Sequence, residues 1–523
     1  MSATLTKKER RWAWRWSAIT VGLACLPYLL AWQLAPTDTQ YTGLLINHYD
    51  GESYYAKMQQ GARGDWVFHL AFTPEPHEGA YIFGFYLALG HLASALHLSI
   101  PLVYHLARAA SGLFLLLTAY RFITRFSERI STGQAAFLLL GLSAGFGWLF
   151  APLGIILADL WVAEGFTFLS ILANPHFPLA IGLMLLLLMI VIDLKAPSFQ
   201  PWRLVAAGGL GLALAWVQPF AVPVVLVVLA VYLGLMALLR RRLPWGQAAI
   251  VAATGAGAAP IMLYDLYVYG NNPALAAWSA QNVTASLPPW NYALGYGLVF
   301  LLAIAGAVVA LRRRQPTDVL LLSWVGTAAL LLYVPFALQR RFITGLHVPL
   351  VLLAALALER IVWPRLPIRR RGLVTGLLVG LSALTNLFVP LVSVTGVAQG
   401  QPPLVMDRDV AAACTWLDQH THWTDTVLAP TDVGQFVPAW AGNRVVYGHP
   451  FETIEAKEKE AEVDRFFTTG TPSSQRRAIL ARYGVRYVLL PRPMPDLEAP
   501  DLGLVPVWNR GDTTLLAVEA AGP

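Results

Sequence analysis

The sequence predicts a mainly α fold: a polytopic transmembrane helix bundle of about 11 spans, N-terminus inside and C-terminus outside, with a small C-terminal α/β soluble domain. Three observations predict it. The chain of 523 residues is 56% hydrophobic and only 13% charged, against roughly 25% charged in soluble proteins. Its mean hydropathy of +0.55 comes from apolar runs long enough to span a bilayer. Its Lys and Arg residues gather in short clusters between those runs, which is how cytoplasmic loops are marked. The net charge of +7 therefore does not point to nucleic acid, and no basic stripe with interleaved aromatics is present. Cys25 and Cys414 sit near opposite ends of the chain, so no disulfide framework is indicated.

The spans are taken in order as 14–34, 102–122, 134–157, 177–194, 203–218, 221–239, 245–263, 292–311, 317–337, 343–363 and 372–394. The first follows KKERRWAWRW, is about twenty residues long and lacks a small-residue cleavage site, so it reads as a signal anchor. The clusters Arg240 to Arg242, Arg312 to Arg314 and Arg369 to Arg371 are separated by pairs of spans and are placed in the cytoplasm. The connections carrying Arg121, Arg125 and Arg129, and Lys195 and Arg203, fall on the same side, as does the basic N-terminus (Lys7, Lys8, Arg10, Arg11, Arg15). This parity leaves no crossing for the short run 81–98, which carries His91, Ser94 and His97. It reads as an interfacial or re-entrant helix of a first external loop at about 35–101.

Residues 1–395 thus form the transmembrane domain and 400–523 a separate extracytoplasmic accessory domain, with GVAQGQPPL (396–404) as linker. In the latter, helical stretches at 407–419 and 452–467 alternate with β runs at 426–430, 444–447, 485–490 and 513–518, the mark of an α/β domain. ETIEAKEKEAEVDRFF is charged around most of its surface and reads as a solvated helix.

This topology collects the unusual residues on the external side. Asp50 and Glu52 lie in NHYDGESYYAKM with Tyr54 and Tyr55; Asp159, Glu164 and His176 lie in the second external loop; Asp265 begins a third. Arg340 and Arg341 in QRRF break the positive-inside pattern. A guanidinium pair at a lipid boundary can hold a phosphate bidentately, or pair with carboxylates or lipid headgroups. Arg108, with His105 one turn earlier, either joins such a site or snorkels. Asp-Gly-Glu is itself compatible with a plain turn, and Tyr54, Tyr55 and Trp66 with membrane anchoring. Six of the 11 histidines fall between 48 and 105, but their spacings match no compact zinc pattern. No cofactor is required by the sequence; a divalent cation is left open.

The acidic residue ahead of a Tyr-Tyr-Ala helix start (Asp50, Tyr54, Tyr55, Ala56), the juxtamembrane helix closing that loop, the acidic second loop at Asp159, the external QRRF and a soluble tail beginning DRDVAAACTWL together resemble the GT-C superfamily of integral-membrane glycosyltransferases. The closest likeness is to the bacterial branch related to aminoarabinose transferases and protein O-mannosyltransferases. The resemblance implies transfer of a hexosyl or pentosyl group from a polyprenyl-phosphate sugar to an acceptor hydroxyl, with inversion, on the extracytoplasmic face of the cell membrane. It implies that Asp50 is the base; Arg340, Arg341 and Arg108 are the candidates for the donor phosphate on their charge and position. The family's commoner adjacent Asp-Glu pair is interrupted here by Gly51, which keeps Glu52 as an alternative acid. Tyr54, Tyr55, Asp159, Glu164 and His176 are further candidates. A lipid-linked glycan transporter or flippase would show paired repeats with broken helices, and no convincing internal repeat is present. A non-catalytic scaffold would keep the fold and leave Asp50 dispensable.

Overall fold

The computed structural model describes residues 5–127, 129–193, 200–497 and 502–519. Lys195, expected in a cytoplasmic connection, lies outside the described residues. Among the described residues eight helices are long and apolar enough to cross a membrane: Lys7–Leu34, Ile100–Ile123, Ile130–Leu153, Ala221–Arg240, Trp245–Asn271, Pro289–Arg313, Gln339–Arg365 and Ile368–Ala398. The three remaining expected spans are shorter apolar helices, His176–Ile192, Pro201–Val217 and Pro316–Leu331. The protein is a polytopic helical membrane protein. Its chain divides into two compact units.

The first unit comprises Met1–Pro27, His105–Tyr264 and Thr284–Val392. Sequence punctuation sets its helix ends. Pro289 and Pro316 sit in the first turns of their helices, where a missing N–H costs nothing. Arg241 and Arg314 close theirs in the left-handed region. Two expected spans are corrected. The run 317–337 is helical only to Leu331, because Pro335 lies ahead and disfavours helix in the residue before it. The run 134–157 is helical to Leu142, opens at Ser143 into extended backbone and recovers only briefly over Gly147–Phe150. Glycines make this break workable. A Cβ on Gly145 would come within 2.2 Å of the Gly295 carbonyl oxygen, so the two backbones approach because residue 145 has no side chain.

Arg108 belongs to this unit and is 1% exposed, so it does not snorkel. One guanidinium nitrogen donates to the carbonyls of Ile171 (2.8 Å), Ala24 (3.3 Å) and Leu172 (3.4 Å), and Nε donates to His105 Nδ1 at 3.2 Å. A fork with five donors serves here as an internal tie between helices.

The second unit comprises Tyr28–Tyr104, Asp265–Val283 and Ser393–Pro523. Its five-stranded sheet runs in the order Arg444–Val445, Thr426–Leu428, Val485–Leu490, Thr513–Val518, Leu504–Arg510. The first three strands are parallel and the last two add antiparallel. The strand Leu504–Arg510 has no counterpart among the expected β runs. Thr39–Tyr41 also pairs antiparallel with Val405–Asp407. The helix at 84–96 has 13 residues, or ~20 Å, too short for a ~30 Å hydrocarbon core. It packs on the helix His48–Ala62 through reciprocal glycines. A Cβ on Gly61 would meet the Leu87 oxygen at 2.0 Å, and one on Gly90 the Met58 oxygen at 2.0 Å.

The helix expected to be solvated all round, Ala456–Phe467, instead buries Lys459, Val463 and Phe466. Lys459 turns inward because Glu75 and Thr73 receive its ammonium. A second inward lysine lies on the helix His48–Ala62. Lys57 is 1% exposed, pairs with Glu452 at 2.8 Å, and has its ammonium 4.6 Å from the centre of the Phe83 ring. Ser53 Oγ bridges the pair. Burial alone would raise the Glu452 carboxyl, but Lys57, His449 and the Ser53 hydrogen bond hold it below the ordinary carboxylate range.

Removing one member of a buried pair leaves the other uncompensated, at a cost of about 3–5 kcal/mol. We expect Lys57→Met to lower the thermal unfolding temperature in detergent strongly. The double variant Lys57→Met/Glu452→Leu should recover much of that loss, giving a non-additive cycle.

Candidate functional site

In the second unit the helix His48–Ala62 carries the loop-one acids. Asn47 enters it with φ +49°, and Asp50 sits in its first turn, where the helix dipole favours negative charge. Asp50 is exposed, whereas Glu52, two residues on, is 0% exposed. Residues 50 and 52 are 200° apart on a helix, so one must face away from the other. Glu52 Oε2 accepts from Trp440 Nε1 at 3.2 Å, and Oε1 has no partner. Burial pushes its carboxyl well above the ordinary range, which the Trp440 bond offsets only in part.

Aromatic groups surround Asp50. His48 stacks obliquely on Tyr49 at 4.5 Å, and Tyr49 meets His449 edge-on at 5.6 Å. His449 Nδ1 accepts from the amides of Phe451 and Glu452, both at 3.0 Å, which fixes the loop that supplies the partner of Lys57. Burial holds the His48 imidazole below its usual range although Asp50 raises it. Tyr54 stacks flat on Tyr86 at 4.3 Å. Tyr55 is 1% exposed, with its hydroxyl unpartnered. It lines a cavity of about 460 Å³ with Gln59, Ser94, His97 and Trp440. Trp66 stacks on His91 at 4.2 Å.

In the first unit the acidic second loop and the arginine pair come together. Asp159 is 0% exposed, and its Oδ2 accepts from the amides of Gly145 and Gly147, both at 3.0 Å. Asn291 holds the same loop, accepting from Ala158 N at 2.8 Å and donating to the Ile156 carbonyl at 3.0 Å. Glu164 is 5% exposed and its carbonyl accepts from Gly345 N at 3.4 Å, joining this loop to the turn Gln339–Ile343. Arg340 lies 4.3 Å over Trp161, and Arg341 5.4 Å over Phe220. Neither has a carboxylate within 4.0 Å among the described residues, and each has a buried Nε without a partner. The pairing with external carboxylates that the sequence left open is therefore absent among these residues. His176 is 4% exposed at the start of His176–Ile192, against Phe177.

Sequence reasoning missed Lys57, Glu452, His449 and Trp440. Lys57 carried one signal, an ionisable residue among aromatics, but its partner lies 395 positions away. Among the described residues no group of three or more His, Cys, Asp or Glu side chains could hold a metal ion.

No family model matches the sequence, and no curated protein matches it. Solved structures do match. ArnT from Cupriavidus metallidurans in the apo state aligns at 16% identity with a TM-score of 0.53, covering 97% of this chain and 99% of that one. The same protein bound to undecaprenyl phosphate aligns at 16% identity with a TM-score of 0.52 and the same coverage. The oligosaccharyltransferase of Archaeoglobus fulgidus, tethered with an acceptor peptide, aligns at 16% identity and a TM-score of 0.50 over 90% of this chain and 69% of that one. The chain therefore shares the fold of these solved structures.

The Asp159 site yields a pH test. Burial raises its carboxyl to about 6 against the two amide bonds and Thr385, which lower it; the unfolded value is about 3.9. A raised folded value contributes stability that is full below pH ~4 and lost as pH rises to ~6, by roughly 3 kcal/mol at most. We expect Asp159→Asn, which can still accept from both glycine amides, to flatten this slope. Unfolding temperature measured from pH 4 to 7 checks it, with the slope as the readout.

Proposed function

We propose that the protein is a membrane glycosyltransferase that moves a hexosyl or pentosyl group from a polyprenyl-phosphate donor to an acceptor hydroxyl, with inversion, on the extracytoplasmic face of the cell membrane. The observation that carries the reading is an exposed Asp50 at a helix start, in a chain whose fold matches over 97% of its length that of a protein crystallised with undecaprenyl phosphate. The C-terminal unit is extracytoplasmic in this reading, as the arginine clusters imply.

The reaction balances without a cofactor. The acceptor oxygen forms a bond to the anomeric carbon as its proton passes to a carboxylate, and the bond from that carbon to the phosphate oxygen breaks. Polyprenyl phosphate leaves with the bonding electrons. Asp50 is the base in this assignment, because substrate can reach it; Glu52, sealed against Trp440, keeps the helix in place instead. Arg340 and Arg341 are the groups suited to the departing phosphate. They are held over aromatic faces, free of carboxylate partners, with unmet N–H donors. Donors fixed before charge develops need no reorganisation as the phosphate leaves. Arg108, consumed by carbonyls, takes no part in this assignment.

Reconstituted full chain, supplied with a mixed pool of polyprenyl-phosphate sugars, tests the reading. Asp50→Asn should lower transfer by ~10²- to 10⁴-fold, while Glu52→Gln, which can still accept from Trp440, should remain active. Full activity of Asp50→Asn would remove the base assignment, and vesicle-crossing flux without transfer by the wild type would favour a transporter.

The arginine pair has its own signature. Arg340→Gln should cost about 10²- to 10³-fold in turnover, the range seen when one charge-stabilising donor is lost. Arg340→Lys should recover only part of it, since an ammonium lacks the planar fork and stacks less well on Trp161. Equal turnover by Arg340→Gln and wild type would take Arg340 out of the mechanism.

A further inference from the structure

A second set of basic groups, in the second unit and separate from the Asp50 helix turn, surrounds Trp423. The Arg444 guanidinium lies 5.0 Å from the centre of this indole, that of Arg63 5.3 Å, and the His69 ring 4.9 Å. Arg444 is 8% exposed. It nonetheless makes no hydrogen bond through its guanidinium and has no carboxylate within 4.0 Å among the described residues, and its Nε is buried and unpartnered. A buried Nε–H with neither counterion nor acceptor is costly. Among the described residues the other deeply buried arginines are answered: Arg108 by three carbonyls and Arg476 by the carbonyls of Phe466, Thr468 and Asp496.

The surroundings hold Arg444 in place. Its amide donates to the Trp423 carbonyl at 3.1 Å, and the neighbouring Asn443 side chain donates to Thr421 and the His422 carbonyl. The next residue, Val445, donates to the Ala71 carbonyl at 3.0 Å, bringing the chain around His69 alongside. Arg63 donates to the Gly442 carbonyl at 2.9 Å, keeps a 3.6 Å contact with Asp65 and feels the charge of Asp418. Gly442 has φ +77°, and a Cβ there would lie 2.4 Å from the Arg63 guanidinium, so glycine is what lets Arg63 close over this loop. His77 is spent within its own loop, accepting from Leu70 N and facing the Glu75 carbonyl. His69 and Arg63 form the solvent-reached rim above Arg444.

We propose that Arg444, with Arg63 and His69 against Trp423, is a binding site for an oxyanion, the phosphate or carboxylate of a ligand distinct from the donor phosphate. The fork of Arg444 supplies parallel N–H donors of the spacing such groups accept. The Trp423 ring, 5.0 Å from the guanidinium, supports it by a cation–π contact that uses none of its N–H donors. The anion comes either from a soluble sugar phosphate or uronate, or from a lipid headgroup.

The test is direct binding to the purified full chain, which does not depend on transfer activity. Inorganic phosphate and glucuronate are titrated calorimetrically in neutral detergent, and the chain is compared in phosphatidylglycerol and phosphatidylcholine nanodiscs. We expect saturable binding that weakens at least tenfold in Arg444→Gln and several-fold in Arg63→Gln, while Arg510→Gln, at an exposed pair with Asp409, binds as wild type does. Saturation by the soluble anions assigns a soluble source; binding confined to phosphatidylglycerol discs, and lost in Arg444→Gln, assigns a headgroup. Should Arg444→Gln fail to fold, Arg63→Gln and Gly442→Ala carry the test. The proposal is overturned if the wild type saturates with none of these probes, or if the folded variants bind as it does.

Discussion

Irregular backbone among apolar helices must have its amides and carbonyls answered by side chains, because no water is at hand to do it. That constraint accounts for most of the buried polar residues. The break after Leu142 exposes the amides of Gly145 and Gly147, and Asp159 takes both. The loop running on to Asp159 is held at Ile156 and Ala158 by the one amide group of Asn291. The carbonyls of Ile171 and Leu172, near the end of the helix Thr167–Ala173, are met by Arg108. In the second unit, Gln60 brackets His69 through both its amide and carbonyl, and Thr453 reaches the Phe72 carbonyl. Each such residue is conspicuous in an apolar sequence and looks functional for that reason.

The same logic separates what the sequence could reveal from what it could not. Helix positions were legible because hydrophobic runs and arginine clusters report directly on the solvent each residue meets. The breaks were not. The 134–157 run carries Gly145, Gly147 and Pro152, but its high hydropathy outweighs them, and the acceptor that stabilises the opening, Asp159, lies beyond the run. The strand Leu504–Arg510 escaped for a related reason. It is an edge strand with mostly exposed and half-buried residues, so it carries little of the apolar alternation that marks a buried one. Lys459 read as a surface residue because its helix is charged; its partner Glu75 lies 384 positions away.

For the candidate site, the acids were visible as residue types but not by role. Gly51 sets Asp50 and Glu52 on opposite faces of one helix, and burial then separates them: one is open to solvent, the other sealed, with its carboxyl pushed above the ordinary range. A one-residue spacing is enough to decide this once the segment is known to be helical. The three arginines offered for phosphate likewise divide by what already occupies them. Arg108 has its donors filled; Arg340 and Arg341 rest on aromatic rings with donors to spare. Charge type and membrane face alone could not make that division.

An accounting of satisfied groups also shows where the molecule is left open. Arg108, Arg476 and Lys459 each meet several partners, whereas the Nε groups of Arg340, Arg341 and Arg444 are buried and meet none. Each unmet donor forfeits hydrogen bonding to water worth roughly 1–3 kcal/mol, and ligand binding restores it. The unmet guanidinium donors on Arg340, Arg341 and Arg444 share a second property: all three lie over aromatic rings. An aromatic face steadies a guanidinium without using its in-plane N–H groups, so it fixes the fork while leaving the donors available. Carbonyl or carboxylate partners would fix it equally well but would occupy those donors. For Arg340, Arg341 and Arg444, aromatic support in place of polar support is what leaves a donor available to an anion.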